Sequence, residues 1–410
     1  MSRITLAWEL GANLGHIDRL LPVARVLRAR GHDVVFVLRD LSRAHPRIAA
    51  EGFRLGQAPV WLPRMVNPPQ FLNYSMALAS AGWLDAPGLA GLLAGWQTWY
   101  DLLQPDAVIC DFAPTAVLAA RERGMTVWTL GSSFERPPAG PYFPPMAYWE
   151  PSHAAQCAAH DATVLPHVNR ALALRGMAPL PNLAELFDGT RCALATLPAL
   201  AHYGTQGLDA DVCGPLYRDD GGVAPQWPAG DGPRVFVYLS PSHAEFRPLL
   251  DALRAEKRVA LVLARGLSVE AAARLAGPQL RLEAEPLHMQ QVMAQADLVV
   301  SHGGMGTTSA ALLAGRPQLL LPTHMEQAMV GRRVADAGLG IVLPVRPTAR
   351  PGEPAPRVPA TDWRRLLRRL LTEPDWATTA QAAAARDAGA SPAATAERVA
   401  DRVEASLRGA

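Results

Sequence analysis

Lysine is almost missing: Lys257 is the single one, although lysine and arginine together number 39. A Schiff-base lysine, or the lysine of a Gly-Lys-Ser/Thr phosphate loop, therefore has almost nowhere to sit. Net charge is also nearly absent, +2 over 410 residues, so no nucleic acid or other polyanion is implied as a partner. Cysteine is sparse. Cys110, Cys157, Cys192 and Cys213 form no Cys-x-x-Cys pair and no zinc spacing, which reads as reduced thiols in a cytoplasmic protein. No stretch approaches the ~18 uninterrupted apolar residues of a membrane span. Met1-Ser2-Arg3 runs straight into Ile4-Thr5-Leu6-Ala7-Trp8, without the longer apolar core of a signal peptide. The expectation is a soluble cytoplasmic protein without a transmembrane segment, long enough for two domains with substantial cores.

What is present is a repeated strand–helix rhythm. Ile4–Trp8 is a buried-strand pattern feeding the loop Glu9 to His16. Ile17, Leu20, Leu21, Ala24 and Leu27 then fall on one helical face, Gly31 ends the helix, and Val34–Leu38 is the next strand. Such an opening implies a parallel sheet with right-handed crossovers. Strands follow at Ala107–Cys110 and Thr126–Leu130. After the polar Gly/Pro stretch Tyr217 to Pro225 the rhythm restarts, with strands at Val235–Leu239, Val259–Ala264, Leu280–Glu283, Leu298–Val300, Leu319–Leu321 and Ile341–Leu343. Helices are expected near Glu245–Glu256, His288–Gln295, Asp362–Leu371 and Trp376–Leu407, the last broken near Gly389 and Pro392. Pro344 to Pro359 reads as an exposed Pro/Arg-rich loop. Two αβ halves place ligand sites at strand C-termini.

Two segments depart from the rhythm. Trp61 to Tyr100 holds Trp61, Phe71, Tyr74, Trp83, Trp96, Trp99 and Tyr100 among Pro63, Pro68, Pro69 and Pro87; Phe134 to Trp149 includes Tyr142 and several prolines. Aromatic, proline-stiffened loops on a regular scaffold suit an apolar ligand pocket, although such residues also simply fill cores.

The densest motif is Ser301-His302-Gly303-Gly304-Met305-Gly306-Thr307-Thr308, followed by an apolar helix, Gly315-Arg316-Pro317, an apolar run to Pro322, and Glu326-Gln327. It reads as strand, glycine-rich turn and helix start. Glycines admit close approach of a ligand to the backbone, and the free N–H groups of a new helix favour a diphosphate. Thr307 and Thr308 can cap the helix or donate to phosphate. Alone, the glycines would equally serve tight packing of an αβ turn.

Taken together, Pro286 to about Leu343 resembles the donor-sugar signature of GT-B glycosyltransferases that decorate small molecules, bacterial antibiotic glycosyltransferases and plant UDP-glycosyltransferases among them. The resemblance implies two Rossmann-like parallel-sheet domains facing across a cleft, an α/β architecture whose C-terminal helix crosses back to the first domain. On that reading residues 1–217 bind the acceptor, 218–232 form a linker, 233–375 bind the nucleotide sugar and 376–410 return to the first domain. It implies that His302, Gly303, Gly304, Gly306 and Thr307 hold the diphosphate, with Ser240 as a further phosphate contact. Glu326-Gln327 would hydrogen-bond the sugar. Where plant members carry a ribose-binding Glu, eight positions after the His, this chain has Ala310, which leaves UDP and dTDP both open. Pro286 to Gln290 stands where the family places its nucleotide-base loop, without the family's stacking residue.

Sugar transfer needs a base for the acceptor, stabilisation of the leaving diphosphate, and positioning. Gly15-His16 before an amphipathic helix resembles the family's catalytic loop, implying His16 as base. Pro105 to Phe112 before an Ala-rich helix resembles the element that carries its partner, implying Asp111 as the orienting carboxylate; without the resemblance, Asp111 reads as a helix cap. Arg19 stands where common members have Pro. No Asp-x-Asp metal motif occurs in the donor region, so the expectation is an inverting, metal-independent enzyme with no cofactor beyond the nucleotide sugar. Its acceptor would be an apolar small molecule gripped by Trp61, Phe71, Trp83, Phe134 and Tyr142, and the enzyme a monomer or homodimer. Competing expectations are a nucleotide-sugar epimerase or hydrolase on the same fold, an inactive homologue acting as a binding partner, and an NAD-dependent oxidoreductase, poorly supported because Ser309 replaces the third small position of Gly304-Met305-Gly306.

Overall fold

The computed structural model describes residues 1–11, 14–63, 65, 71–205, 211–219, 221–345 and 361–408. Pro68 and Pro69 of the first aromatic segment, Asp220 of the linker and most of the expected loop 344–359 lie outside these residues. The chain forms two compact units. The first comprises 1–198, 203–217 and 391–410; the second comprises 199–202 and 218–390.

The first unit is built on a six-stranded parallel sheet of β1 (Arg3–Trp8), β2 (Asp33–Leu38), β3 (Arg54–Gln57), β4 (Ala107–Asp111), β5 (Thr126–Gly131) and β6 (Arg191–Leu194), in the order β3-β2-β1-β4-β5-β6. The second repeats that order with β7 (Arg234–Tyr238), β8 (Val259–Leu263), β9 (Leu280–Glu283), β10 (Leu298–Ser301), β11 (Gln318–Leu320) and β12 (Gly340–Val342), arranged β12-β11-β10-β7-β8-β9. In each sheet the winding reverses between the first and fourth strands, the position where open α/β sheets take ligands. Register places Trp8 beside Asp111 in one sheet and Tyr238 beside Ser301 in the other. Strands β3 and β6, for which the sequence shows no clear pattern, are edge strands of only four residues.

The expectation of aromatic loops over Trp61 to Tyr100 is corrected. Most of it is helical: Tyr74–Leu78, Ala79–Trp83 and Ala86–Leu103. Asp85 accepts from the Gly88 N–H, and Pro87 stands in the first turn, where its missing N–H has no intrahelical role. Leu89, Leu93, Trp96 and Tyr100 then recur at helical spacing and are buried. Helix Ala86–Leu103 packs against helices Pro114–Ala120 and His153–Leu174. Among the described residues no single helix is long and apolar enough to cross a membrane; Tyr74–Trp83 and Ala86–Leu103 reach that length only as a pair bent by 87°.

The C-terminal tail divides at the left-handed Gly389. Helix Pro374–Arg386 belongs to the second unit, so the return begins near residue 391 rather than at 376. Helix Pro392–Arg408 joins the core of the first unit, burying Ala396, Val399, Ala400 and Val403 against helix Gly15–Ala29 and β5. Arg30 pairs with Glu397, Asp401 and Glu404, and Trp128 Nε1 donates to Ser406 Oγ at 3.1 Å. Within the expected linker, Gly222 lies on the backbone of Pro286 and Leu287, and the next residue's N–H donates to the Pro286 carbonyl at 2.9 Å.

Candidate active site

In the first unit the loops after β1 and β4 meet. His16 opens helix Gly15–Ala29 and is buried, its Nδ1 3.0 Å from Oδ1 of the fully buried Asp111. A carboxylate only accepts, so Nδ1 carries the proton, and in the neutral ring the lone pair is on Nε2. The ring stacks on Trp8 at 5.3 Å between centroids. Asp111 is not a helix cap: it ends β4, and the following helix starts at Pro114. That helix is capped from the neighbouring strand. Glu9 Oε2 accepts from the N–H groups of Thr115 (2.9 Å) and Ala116 (3.3 Å), and Oε1 accepts from the Thr115 hydroxyl. Asp111 is thereby left to His16. Burial pushes the Glu9 carboxyl up to about 7, against the pull of those hydrogen bonds.

The second oxygen of Asp111 faces Arg19 Nε at 3.4 Å, and Arg19 Nη1 donates to Glu135 at 2.9 Å. Glu135 in turn accepts from the backbone and hydroxyl of Ser132. The side chain in the proline's place thus ties the dyad to the loop after β5. Donor atoms of His16, Asp111 and Glu135 lie within 4.8 Å of one another, as metal ligands do, but the Arg19 guanidinium already supplies the cluster's positive charge.

Beside the dyad lies an open cavity of about 310 Å³, walled by Val60, Trp61, Phe71, Ala77, Ala81 and Phe112, with Glu9, Leu10, Gly11, Arg39 and Ser80 completing it. Gly11 joins the two. Its φ is +82°, and a Cβ there would lie 2.4 Å from His16 Nε2, so the Nε2 edge of the imidazole faces a residue of the cavity wall. Phe112, also left-handed at φ +46°, stands 6.1 Å from the His16 ring. Of the five aromatic residues expected to grip an acceptor, Trp61 and Phe71 line this cavity. Trp83 does not: it is fully buried and donates to Thr115 Oγ1 at 3.2 Å, so its place in the acceptor set is corrected to the core. Phe134 packs edge-on against Phe112 outside the cavity, and half-buried Tyr142 is not on its wall.

In the second unit His302 follows β10, its ring 5.4 Å from that of Tyr238 at the end of β7. Desolvation holds its imidazole below the usual value, with Glu326 opposing, which favours the neutral ring. Gly303 is left-handed at φ +85°, and a Cβ on Gly304 would meet His302 Nε2 at 2.9 Å. Gly304 is the N-cap of helix Met305–Leu313, whose first turn holds Gly306 and Thr307. The side chains of Thr308, Ser309 and Ala310 are buried behind them. Ser240 is exposed after β7, its hydroxyl 2.8 Å from that of Ser242. Gln327 Oε1 is engaged, accepting from the Thr323 N–H (2.8 Å) and hydroxyl (2.9 Å), which leaves only its amino group for a ligand. Glu326 lies 3.7 Å from the buried His202 and 3.9 Å from His324. No sequence pattern marks His202, which reaches Glu326 from far along the chain. Glu9 has a sequence signal, an acid directly after a buried strand.

Residues 267–405 match the family described as erythromycin biosynthesis protein CIII-like, C-terminal domain. The crystal structure of the glycotransferase of kitacinnamycin resembles the whole chain, with TM-score 0.72 and 19% identity over 99% of both chains. The fold is GT-B. Another GT-B structure, SsfS6 of Streptomyces sp. SF2575 complexed with thymidine diphosphate, matches with TM-score 0.62 and 17% identity over 97% of this chain and 99% of that one. By sequence, the NDP-glycosyltransferase YjiC of Bacillus subtilis is 44% identical over 54 residues, 13% of this chain. That match spans only 14% of the relative's own length. His16 and Asp111 follow β1 and β4, and Ser240 and His302 follow β7 and β10, the strands at the switch point of each sheet; Glu326-Gln327 follows β11.

Proposed function

We propose that this chain is an inverting glycosyltransferase that moves a sugar from a UDP- or dTDP-linked donor to a hydroxyl or amine of a largely apolar small molecule. One observation carries the reading: His16 is held at Nδ1 by Asp111 while Nε2 faces Gly11, on the wall of an apolar cavity. An acceptor lying there would give its O–H proton to Nε2 as its oxygen attacks the anomeric carbon. The bond from that carbon to the diphosphate breaks, the electron pair leaves with the diphosphate, and a single displacement inverts the centre. The donor's diphosphate is assigned to Gly303–Thr307, where backbone N–H groups and the helix start offset its growing charge, with neutral His302 beside them. Glu326 and the amino group of Gln327 are assigned to the sugar hydroxyls. The thymidine diphosphate in SsfS6 supports a dTDP-linked donor, and YjiC's description as an NDP-glycosyltransferase supports transfer as the reaction. Four unpaired buried thiols suit a reducing, cytoplasmic setting.

The test is a matrix of UDP- and dTDP-sugars against aromatic and polyketide-like acceptors, scored by mass spectrometry for the glycoside. Acceptor-dependent product in wild type, absent in His16→Ala and in His302→Ala, is the expected result. Free sugar formed at the same rate without acceptor would make the protein a hydrolase instead.

A further inference from the structure

The cavity wall carries one cation and one acid among its described residues, Arg39 and Glu9. The two are not paired through hydrogen bonds. Glu9 uses both oxygens on Thr115 and Ala116. Arg39 follows β2, with its backbone N–H bonded to the Trp8 carbonyl and its own carbonyl accepting from Gln57. Its guanidinium, by contrast, has no hydrogen bond or ion pair among the described residues. It acts on Glu9 through charge alone, and a half-buried guanidinium on a wall whose other polar side chains are Glu9 and Ser80 is a set of donors without hydrogen bonds, in a fork that matches a carboxylate. Another part of the wall is pre-built for a flat body: Trp61 is seated on Gly82 and Gly88, where a Cβ would come within 2.4 Å and 2.5 Å of its ring. Glycine at both places lets the indole lie against the bent helix pair and present a face.

We propose that the acceptor is an acid: a carboxylate on a flat, apolar, one- to two-ring body, with Arg39 receiving the carboxylate and Trp61, Phe71 and Phe112 enclosing the rings. This rests on the cavity being the acceptor site, and it adds that a charge anchors the acceptor and thereby sets which hydroxyl reaches His16. The cavity, about 310 Å³, is at the small end of the ~300–1,000 Å³ range of small-molecule sites and fits such a body.

The experiment is calorimetric titration, without donor, of 2-naphthoate and biphenyl-4-carboxylate, each beside its neutral primary amide. Wild type should bind the acids about tenfold or more tightly than the amides. Arg39→Gln should bring that ratio to about one while leaving amide affinity unchanged; Arg39→Lys should keep part of it. Equal affinities in wild type, an unchanged ratio in folded Arg39→Gln, or no binding by any of these probes overturns the proposal. Should Arg39→Gln fail to fold, the wild-type ratio and Arg39→Lys decide. His16→Ala separates the two readings: it should keep the acid preference and lose transfer. An acid preference in a wild type that transfers no sugar would leave the anion site standing and remove the transferase reading.

Discussion

Glu9 illustrates how a single side chain frees another for chemistry. By capping the helix after β4 from the adjacent strand, it releases Asp111 from a task its sequence position suggests. It is also held toward its neutral form, and this couples folding to pH. The folded carboxyl titrates at about 7, against 4.5 for the ordinary group. The contribution is fully present below about pH 4.5 and is lost as pH rises through 7, a decline on the order of 3 kcal/mol in all. Urea unfolding at a series of pH values should show that decline in wild type. In Glu9→Gln, whose amide can accept from the same N–H groups and donate to the Thr115 hydroxyl, the curve should be flatter. At the dyad, His16→Ala should lower transfer by about 10²- to 10⁴-fold with little change in nucleotide affinity, read by steady-state rates and nucleotide titration. His16, Asp111 and the His302 turn stand in short local patterns that a family resemblance can pick out. Glu9, His202 and the Arg19–Glu135 link do not, since each acts across more than a hundred residues of chain.

Elements show the same division between local and distant information. Buried strands such as β1 and β10 announce themselves as apolar runs. The short edges β3 and β6 do not, because one or both faces are exposed or thinly apolar. The helix Ala86–Leu103 is hard to see in the sequence for a specific reason: proline and tryptophan also suit loops. Here proline starts the helix and the aromatics are its buried stripe. Trp96→Ala should accordingly destabilise the first unit by about 3–5 kcal/mol in denaturant unfolding, as a core residue and not a ligand contact. The turn after β1 has the opposite sensitivity. Gly11→Ala adds one carbon where His16 Nε2 already stands and strains a left-handed backbone. Transfer should fall about a hundredfold or more, with a loss of stability of only about 1 kcal/mol by thermal unfolding.

Across the whole molecule, two sheets of identical winding are joined by a chain that returns to where it began. Cutting it after Ala390 removes helix Pro392–Arg408 and with it the cover of Trp128 and of the helix bearing His16. Hydrogen exchange on that truncated chain should show protection lost over Gly15–Ala29 and Thr126–Gly131, while β7, β8 and β10 keep theirs. Equal loss in both sheets would show that the second unit also depends on the tail.

That return also sets an order of events during synthesis. Domains generally fold as they emerge, the earlier one first. Here the earlier unit lacks its last wall until every residue of the later one has been translated. The nascent first sheet therefore waits, with helix Gly15–Ala29 and β5 short of the C-terminal helix that packs on them, while the second sheet is free to finish ahead of it. On the ribosome the folding order of the two units would run against the order in which their codons are read.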